Sequence, residues 1–301
     1  MVGDKKTPSD WSLENCEYLS PDRQLELGYD LAKILPWNSY GRKNIGYLFA
    51  IESGAKIIYE TDDDNEPIGQ LEYNNPENIL TSLTSSQNSL NVYSYFGHPE
   101  IWPRGFPLEQ IAYSSQYEVC APTHCKIGIE QGIVNNAPDV DAIFRLTQDK
   151  IVEFPNQLPC YLPKGIFCPF NSQNTFIHPV SYFTLYIPSI ISMRVSDIWR
   201  GYIAQKLIWS EGANLIFSGP NAIQYRNEHS LSHDFMLEIE LYLKSNKLVN
   251  FLEKLEISGQ SPTEKMLFIY RKLANQEFLS AKELPLVEAW LSDFEKVTQK
   301  K

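Results

Sequence analysis

The sequence predicts an α/β domain followed by a helical C-terminal extension. Three observations carry this. Apolar residues at helical spacing over 42–53 give way to a short β-branched run at 56–60. That run ends directly in three consecutive carboxylates, Asp62, Asp63 and Asp64, as a strand entering a loop would. The last sixty residues carry only helical periodicity, broken at Gly259, Pro262 and Pro285. No internal repeat or linker divides the 301 residues, so the expected division is an α/β domain over 1–233 and a helical extension over 234–301.

In chain order, Gly3 to Asp10 is turn-rich and a short extended piece falls around Tyr18-Leu19. Ser20 caps a helix with Pro21 in its first turn, and Leu25, Leu27, Leu31 and Ile34 supply its apolar spacing before Pro36 closes it. Ser39 can cap a second helix over Arg42–Ser53, with Ile45, Leu48, Phe49 and Ile51 on one face and Gly54 at its end. Lys56 to Glu60 then reads as a buried parallel strand. Residues 66–95, rich in Asn and Ser, read as an irregular connection or a weak edge hairpin. Short strands and loops follow to Phe176, and a helix runs from about Ser196 to Ser210. Asp234–Glu256, Thr263–Gln276 and Leu286–Thr298 complete the chain as amphipathic helices.

Composition bounds the function. With 43% hydrophobic and 21% charged residues the chain is globular rather than disordered. A net charge of −11 disfavours nonspecific nucleic-acid binding, so any bound phosphate must meet a local basic pocket. Five scattered cysteines without a CxxC pair argue against a disulfide scaffold and a structural zinc site, and fit a reducing compartment. No run approaches the roughly 18 apolar residues of a membrane span, and Met1 to Lys6 has no apolar signal core. The chain as given is therefore expected to be cytoplasmic, without an anchor.

Several residues could carry chemistry. Asp62, Asp63 and Asp64 repel one another unless a cation or hydrogen-bond donors offset their charge. A hard divalent ion held by one or two of them plus substrate phosphate oxygens is one reading; a solvated acidic turn is the other. Glu60 and Glu66 read as surface or supporting charges. Arg42 and Lys43 stand where a helix N-terminus already disfavours cations. Either they swing into solvent or they face a bound anion such as a pyrophosphate. Asp197 opens a helix whose face also holds Gly201 and Ala204, small residues that leave space around it. It is a dipole-favoured first-turn acid or a carboxylate aimed into a cleft. His229 is a surface histidine or a ligand. In the loop 162–174, Asn171, Gln173 and Asn174 could bind sugar hydroxyls or cap a strand edge. Cys168 lacks an adjacent histidine, and no GxSxG, P-loop or GxGxxG occurs.

Val2 to Pro8, Arg42 to Ile51, Gly54-Ala55-Lys56 and Asp62 to Asn65 resemble the STELLO glycosyltransferase-like family. So do Ile101 to Pro107, Pro138 to Leu146, Leu162 to Asn174 and Asp197 to Tyr202, which extends the likeness over roughly residues 1–240. A fainter similarity, in the triple Asp, the Arg104-Gly105 and Pro163-Lys164-Gly165 loops and Asp197-Ile198-Trp199, links the chain to the reversibly glycosylated polypeptides, the plant arabinopyranose mutases. Both resemblances imply a GT-A-like nucleotide-sugar-binding fold with a central mixed sheet. By the resemblance, Asp62 to Asp64 match the DxD motif that binds Mn²⁺ or Mg²⁺ on the donor diphosphate, Asp197 matches the acceptor-side carboxylate, and His229 matches a late metal ligand. Arg104 and Arg200, within the matching segments, join Arg42, Lys43, Asp62 and Asp63 as candidates for holding the donor.

The expected function is metal-dependent transfer of a sugar from a nucleoside diphosphate, with UDP the expected nucleotide, to an unspecified acceptor. One departure accompanies the resemblance: GT-A domains carry a first strand and helix ahead of the Val2-Gly3-Asp4 segment, where this sequence starts. Either the start is natural, which leaves an abbreviated base pocket and keeps a noncatalytic scaffold open, or the chain is a fragment; the fainter resemblance keeps sugar-nucleotide mutase activity open. Plant family members are Golgi membrane proteins, a location not carried over to this chain.

Overall fold

Ser20 Oγ accepts a hydrogen bond from Arg23 N at 3.1 Å, and with Pro21 in the first turn it starts α1 (Pro21–Glu26). Gly28, at φ 78°, takes the left-handed turn that separates α1 from α2 (Asp30–Ile34), so the single helix expected here is two. A 3-10 turn over Tyr40–Arg42, capped by Ser39, leads into α3 (Lys43–Glu52), and Gly54 ends it at φ 87°. The coordinates are a computed structural model, which describes residues 1–113, 115–148, 150–227 and 230–299.

The α/β portion continues with β1 (Ile58–Thr61), β2 (Asn65–Pro67), β3 (Glu77–Thr84), α4 (Val92–Tyr95), β4 (Glu118–Val119), β5 (Thr123–Asn135) and α5 (Ala142–Thr147). After these come β6 (Cys160–Leu162), β7 (Asn174–Ile177), α6 (Met193–Ser210) and β8 (Asn214–Gln224). Among the described residues the strands form one eight-stranded mixed sheet, ordered β1-β7-β5-β3-β6-β8-β2 with β4 beside β3. β5 also pairs with β8 in parallel, from Ile127 opposite Asn214 to Asn135 opposite Ile223. β3, β5, β8 and β6 therefore close a ring around a small apolar cluster of Leu80, Cys125, Ile127 and Ile216.

β1 corrects one expectation. Its hydrogen-bonded neighbour is β7, and the pair is antiparallel, with Ile58 opposite Ile177 and Thr61 opposite Asn174. β7 is in turn antiparallel to β5, so β1, β5 and β8 all run in one direction, and their carboxyl ends lie along the same side of the sheet. Ligands of open α/β sheets collect on that side. The stretch read as irregular contains β3, eight residues long, and the expected short strands up to Phe176 include the thirteen-residue β5.

α6 is buried along most of its length, with Trp199 and Tyr202 inaccessible to solvent. Gly201 gives a second correction. A Cβ there would lie 2.5 Å from the Phe170 carbonyl oxygen, so its small size serves close packing against residue 170 rather than open space around Asp197.

The chain ends in α7 (Leu231–Leu237), α8 (Ile239–Lys254), α9 (Pro262–Asn275) and α10 (Leu284–Gln299). A capping box between Ser261 and Glu264 starts α9. Leu248, Ile269 and Trp290 from these helices share one apolar core with Leu48 and Trp199. Trp290 Nε1 donates to Phe183 O at 3.0 Å, and Asp293 Oδ2 accepts from Leu31 N at 2.8 Å at the start of α2. No helix among the described residues is long and apolar enough to cross a membrane.

Candidate functional site

A cleft of about 310 Å³ opens where the co-directional strands end. Asp62, Asp63 and Asp64 come from the end of β1, Asp139 follows β5, and Gln224 and Arg226 close β8. Ser172 and Gln173, just before β7, form the floor, and the first turns of α6 add Met193, Arg194 and Asp197. The sequence places these groups far apart; sheet topology brings them together.

The acidic run is held from two sides. Asp62 N donates to Gln173 O at 3.2 Å, which ties the end of β1 to the strand beside it. Gln224 Nε2 donates to both carboxylate oxygens of Asp64, at 3.0 and 3.2 Å. Burial raises the Asp62 carboxyl most; Lys43 opposes that, and Asp197, Asp139 and Asp64 add to it, so the group is pushed up to about 7. A carboxyl so crowded by like charge gains from any nearby cation.

Arg104 is the central cation of the cleft. Its Nε donates to Asp139 Oδ1 at 2.8 Å, and its two terminal nitrogens reach Asp197 Oδ1 at 3.2 Å and Oδ2 at 3.0 Å. Asn171 Nδ2 supports Asp139 at 2.7 Å, and Ser172 N donates to Asp197 Oδ2 at 3.4 Å. Burial alone would lower the Arg104 guanidinium, but Asp139 and Asp197 outweigh it and hold the charge in place. Burial likewise works against ionised Asp139, and Arg104 overrides it, leaving that carboxyl below its usual range. A carboxylate offers about four lone-pair directions. Three donors already reach Asp197, which leaves about one for a ligand hydroxyl.

The other residues singled out in the sequence lie in different surroundings. Lys43 Nζ stands 3.3 Å from Tyr40 Oη and 3.8 Å from Glu60 Oε1. Burial alone would lower it, but Glu60, Tyr40 and Asp62 hold it above its ordinary value. Tyr40 lines the cleft and hydrogen-bonds Ser172 Oγ. Arg42 is not among the cleft-lining residues. It is buried against Trp37, 3.8 Å from the ring centroid, and donates to Gln24 Oε1, Ala32 O and Leu35 O. Arg200 is likewise buried away from the lining, paired with Glu60 at 2.9 Å. Glu60 is thus an interior charge, which Tyr47 Oη also meets. Asn174 is buried and bonded to Asn221 Oδ1 at 2.6 Å, whereas Gln173 faces the cleft. His229 lies outside the described residues.

Three cleft arginines were not legible in the sequence: Arg145 on α5, Arg194 on α6 and Arg226 beyond β8. Each is a single cation in an ordinary helix or loop context, with no spacing to mark it. A second groove of about 570 Å³ adjoins the cleft at Tyr40. It is lined by apolar groups such as Val2, Tyr47, Ile58 and Tyr59 and by the charged residues Asp4, Arg42, Lys43 and Glu60.

Among the described residues no three His, Cys, Asp or Glu side chains converge to hold a metal ion by themselves. The carboxylates of Asp62 and Asp64 are hard oxygen donors. They fit a divalent ion of the Mg²⁺ or Mn²⁺ kind when a ligand supplies further oxygens.

This mixed sheet, with its cleft at the strand ends and its helices behind, defines an α/β protein consistent with a glycosyltransferase fold. The family of STELLO glycosyltransferases matches residues 194–300. Over 97% of its length the chain is 34% identical to an Arabidopsis thaliana protein named probable glycosyltransferase STELLO1, and 31% identical to probable glycosyltransferase STELLO2 of the same plant. It spans 40% of the length of each. The chain is STELLO-like over nearly its whole length.

Proposed function

We propose that the cleft binds a nucleoside diphosphate sugar, UDP-linked, together with Mn²⁺ or Mg²⁺, and that the chain transfers the sugar to an acceptor hydroxyl within a GT-A-like frame. The observation that carries this reading is the crowding of Asp62 by Asp64, Asp139 and Asp197 beside a wall of arginines. Carboxylates that gain from a cation and guanidiniums that gain from an anion together suit a metal–diphosphate ligand. When bound, the ion would supply Lewis-acid stabilisation of the charge developing on the departing diphosphate.

The chain's own residues then divide the work. Asp62 and Asp64 hold the cation, with Gln224 fixing the Asp64 carboxylate plane. Lys43, above its ordinary value and beside Asp62, keeps its positive charge near the diphosphate. Arg104 orients Asp197, whose remaining lone pair accepts a hydrogen bond from the acceptor hydroxyl. The groove joined at Tyr40 offers apolar surface for a nucleobase. The test is release of UDP from a panel of UDP-hexoses and UDP-pentoses. Turnover that requires Mn²⁺ and disappears in Asp64→Ala supports the reading; undiminished turnover in that variant overturns it.

A further inference from the structure

Arg194 and Arg226 leave only 18% and 15% of their side chains accessible, and that remainder borders the cleft. Behind them stand two carboxylates from the C-terminal helices. Glu238 Oε1 accepts from Arg194 Nε at 2.9 Å and also from its terminal nitrogen. Asp234 Oδ2 accepts from Arg226 at 2.6 Å and lies 3.8 Å from Arg194, so both guanidiniums converge on one oxygen. Glu238 is fully buried, and its second oxygen accepts from Ala142 N at 2.8 Å and Tyr242 Oη at 2.6 Å.

A buried carboxylate with this many donors is a fixed support, because each bond offsets its desolvation and restricts its rotation. An arginine has five N–H donors. Among the described residues Arg194 directs Nε and one terminal nitrogen to Glu238, and Arg226 directs one terminal nitrogen to Asp234. No further hydrogen bond of these two side chains is made to a described residue, and both line the cleft.

We propose that Arg194 and Arg226 form an oxyanion subsite for the phosphate end of the nucleotide, and that Glu238 and Asp234 are positioning residues holding both guanidiniums at the cleft. The C-terminal helices are then part of the binding site. The proposal rests on the nucleoside diphosphate reading above and deepens it.

Calorimetry with UDP and MnCl₂ on the full chain tests it, with thermal melting of each variant alongside. Arg194→Ala and Glu238→Gln are each expected to weaken UDP binding about tenfold, the scale of one charge-assisted hydrogen bond. The double variant is expected to bind no more weakly than Arg194→Ala, because Glu238 acts through Arg194. A purely structural role for Glu238 would lower the melting temperature without that non-additivity. Wild-type affinity in Glu238→Gln, or losses that multiply in the double variant, overturns the proposal. If Glu238→Gln does not fold, Asp234→Asn with Arg226→Ala gives the same cycle, and the same two outcomes decide it. Titration with inorganic pyrophosphate separates the two claims. Arg194-dependent pyrophosphate binding without UDP binding keeps the subsite and removes the nucleotide reading; UDP binding indifferent to Arg194 and Arg226 does the reverse.

Discussion

Both terminal nitrogens of Arg104 meet the carboxylate of Asp197, at 3.2 and 3.0 Å, while its Nε holds Asp139 at 2.8 Å. One guanidinium thus joins the loop that follows α4, the segment after β5 and the first turns of α6. Removing it leaves two interior carboxylates without their shared cation. Arg104→Ala is expected to cost about 3–5 kcal/mol, the range for breaking a buried ion pair. Urea unfolding measures this, and a loss below about 1 kcal/mol would show that water or Asn171 can replace the guanidinium.

Asp62 gives a pH dependence with a defined sign. Its carboxyl is pushed up to about 7, so acid keeps it protonated and proton release frees an oxygen for a cation. Mn²⁺ affinity is therefore expected to rise as pH increases through about 7. In the ligand-free chain the same shift means the folded state binds more protons than the unfolded state between the two carboxyl values. The Asp62 contribution to stability accordingly falls as pH rises through that window. Mn²⁺ should raise the melting temperature more at pH 8 than at pH 5.5. An equal rise at both values would remove Asp62 from the metal site.

Trp290 is inaccessible to solvent, packs at a 6.0 Å centroid distance from Tyr186 and bonds Phe183 O. Trp290→Ala is expected to destabilise the whole chain by about 3–5 kcal/mol, since it leaves a cavity and an unpaired carbonyl. A single cooperative unfolding transition, shifted to lower urea, is the expected trace. An α/β transition that stays where it was while the helices melt separately would contradict the shared core.

Gly201 tests the packing of α6. Replacing an exposed helical glycine by alanine ordinarily stabilises by about 1 kcal/mol. Here the new methyl would meet the Phe170 carbonyl at 2.5 Å, so Gly201→Ala is expected to lower the melting temperature instead. Because residue 170 leads into Asn171 and Ser172 at the cleft, ligand binding should weaken in parallel.

The sequence is most readable where local signals and tertiary context agree. Ser20-Pro21, Ser39 and the strand-to-Asp62 junction mark element ends by side-chain chemistry and Gly54 does so by its left-handed backbone, and the structure shows boundaries at each. β3 was hidden because its sequence mixes Asn, Thr and Ser with few apolar residues, and its partners at 123–126 and 160–161 are remote in the chain. β5 was masked by Glu130 and Gln131 in its middle. Glu130 is buried there only because Asn74 and Ser218 supply donors, a compensation no local window contains. The acidic run was visible as a cluster, whereas Arg194 and Arg226 became a pair only through Asp234 and Glu238. Arg42, a cation at a helix start that could swing into solvent or face an anion, is tied to Gln24 and the Trp37 ring at the edge of the second groove, contacts no local window contains.

The central claim is that the cleft is a metal-dependent nucleoside diphosphate site, and calorimetric titration of UDP into the purified chain tests it most directly, first with Mn²⁺ and then with EDTA. The account predicts binding with Mn²⁺ that EDTA abolishes and that Asp62→Asn weakens. Absence of binding in both conditions, or equal binding in both, would contradict it.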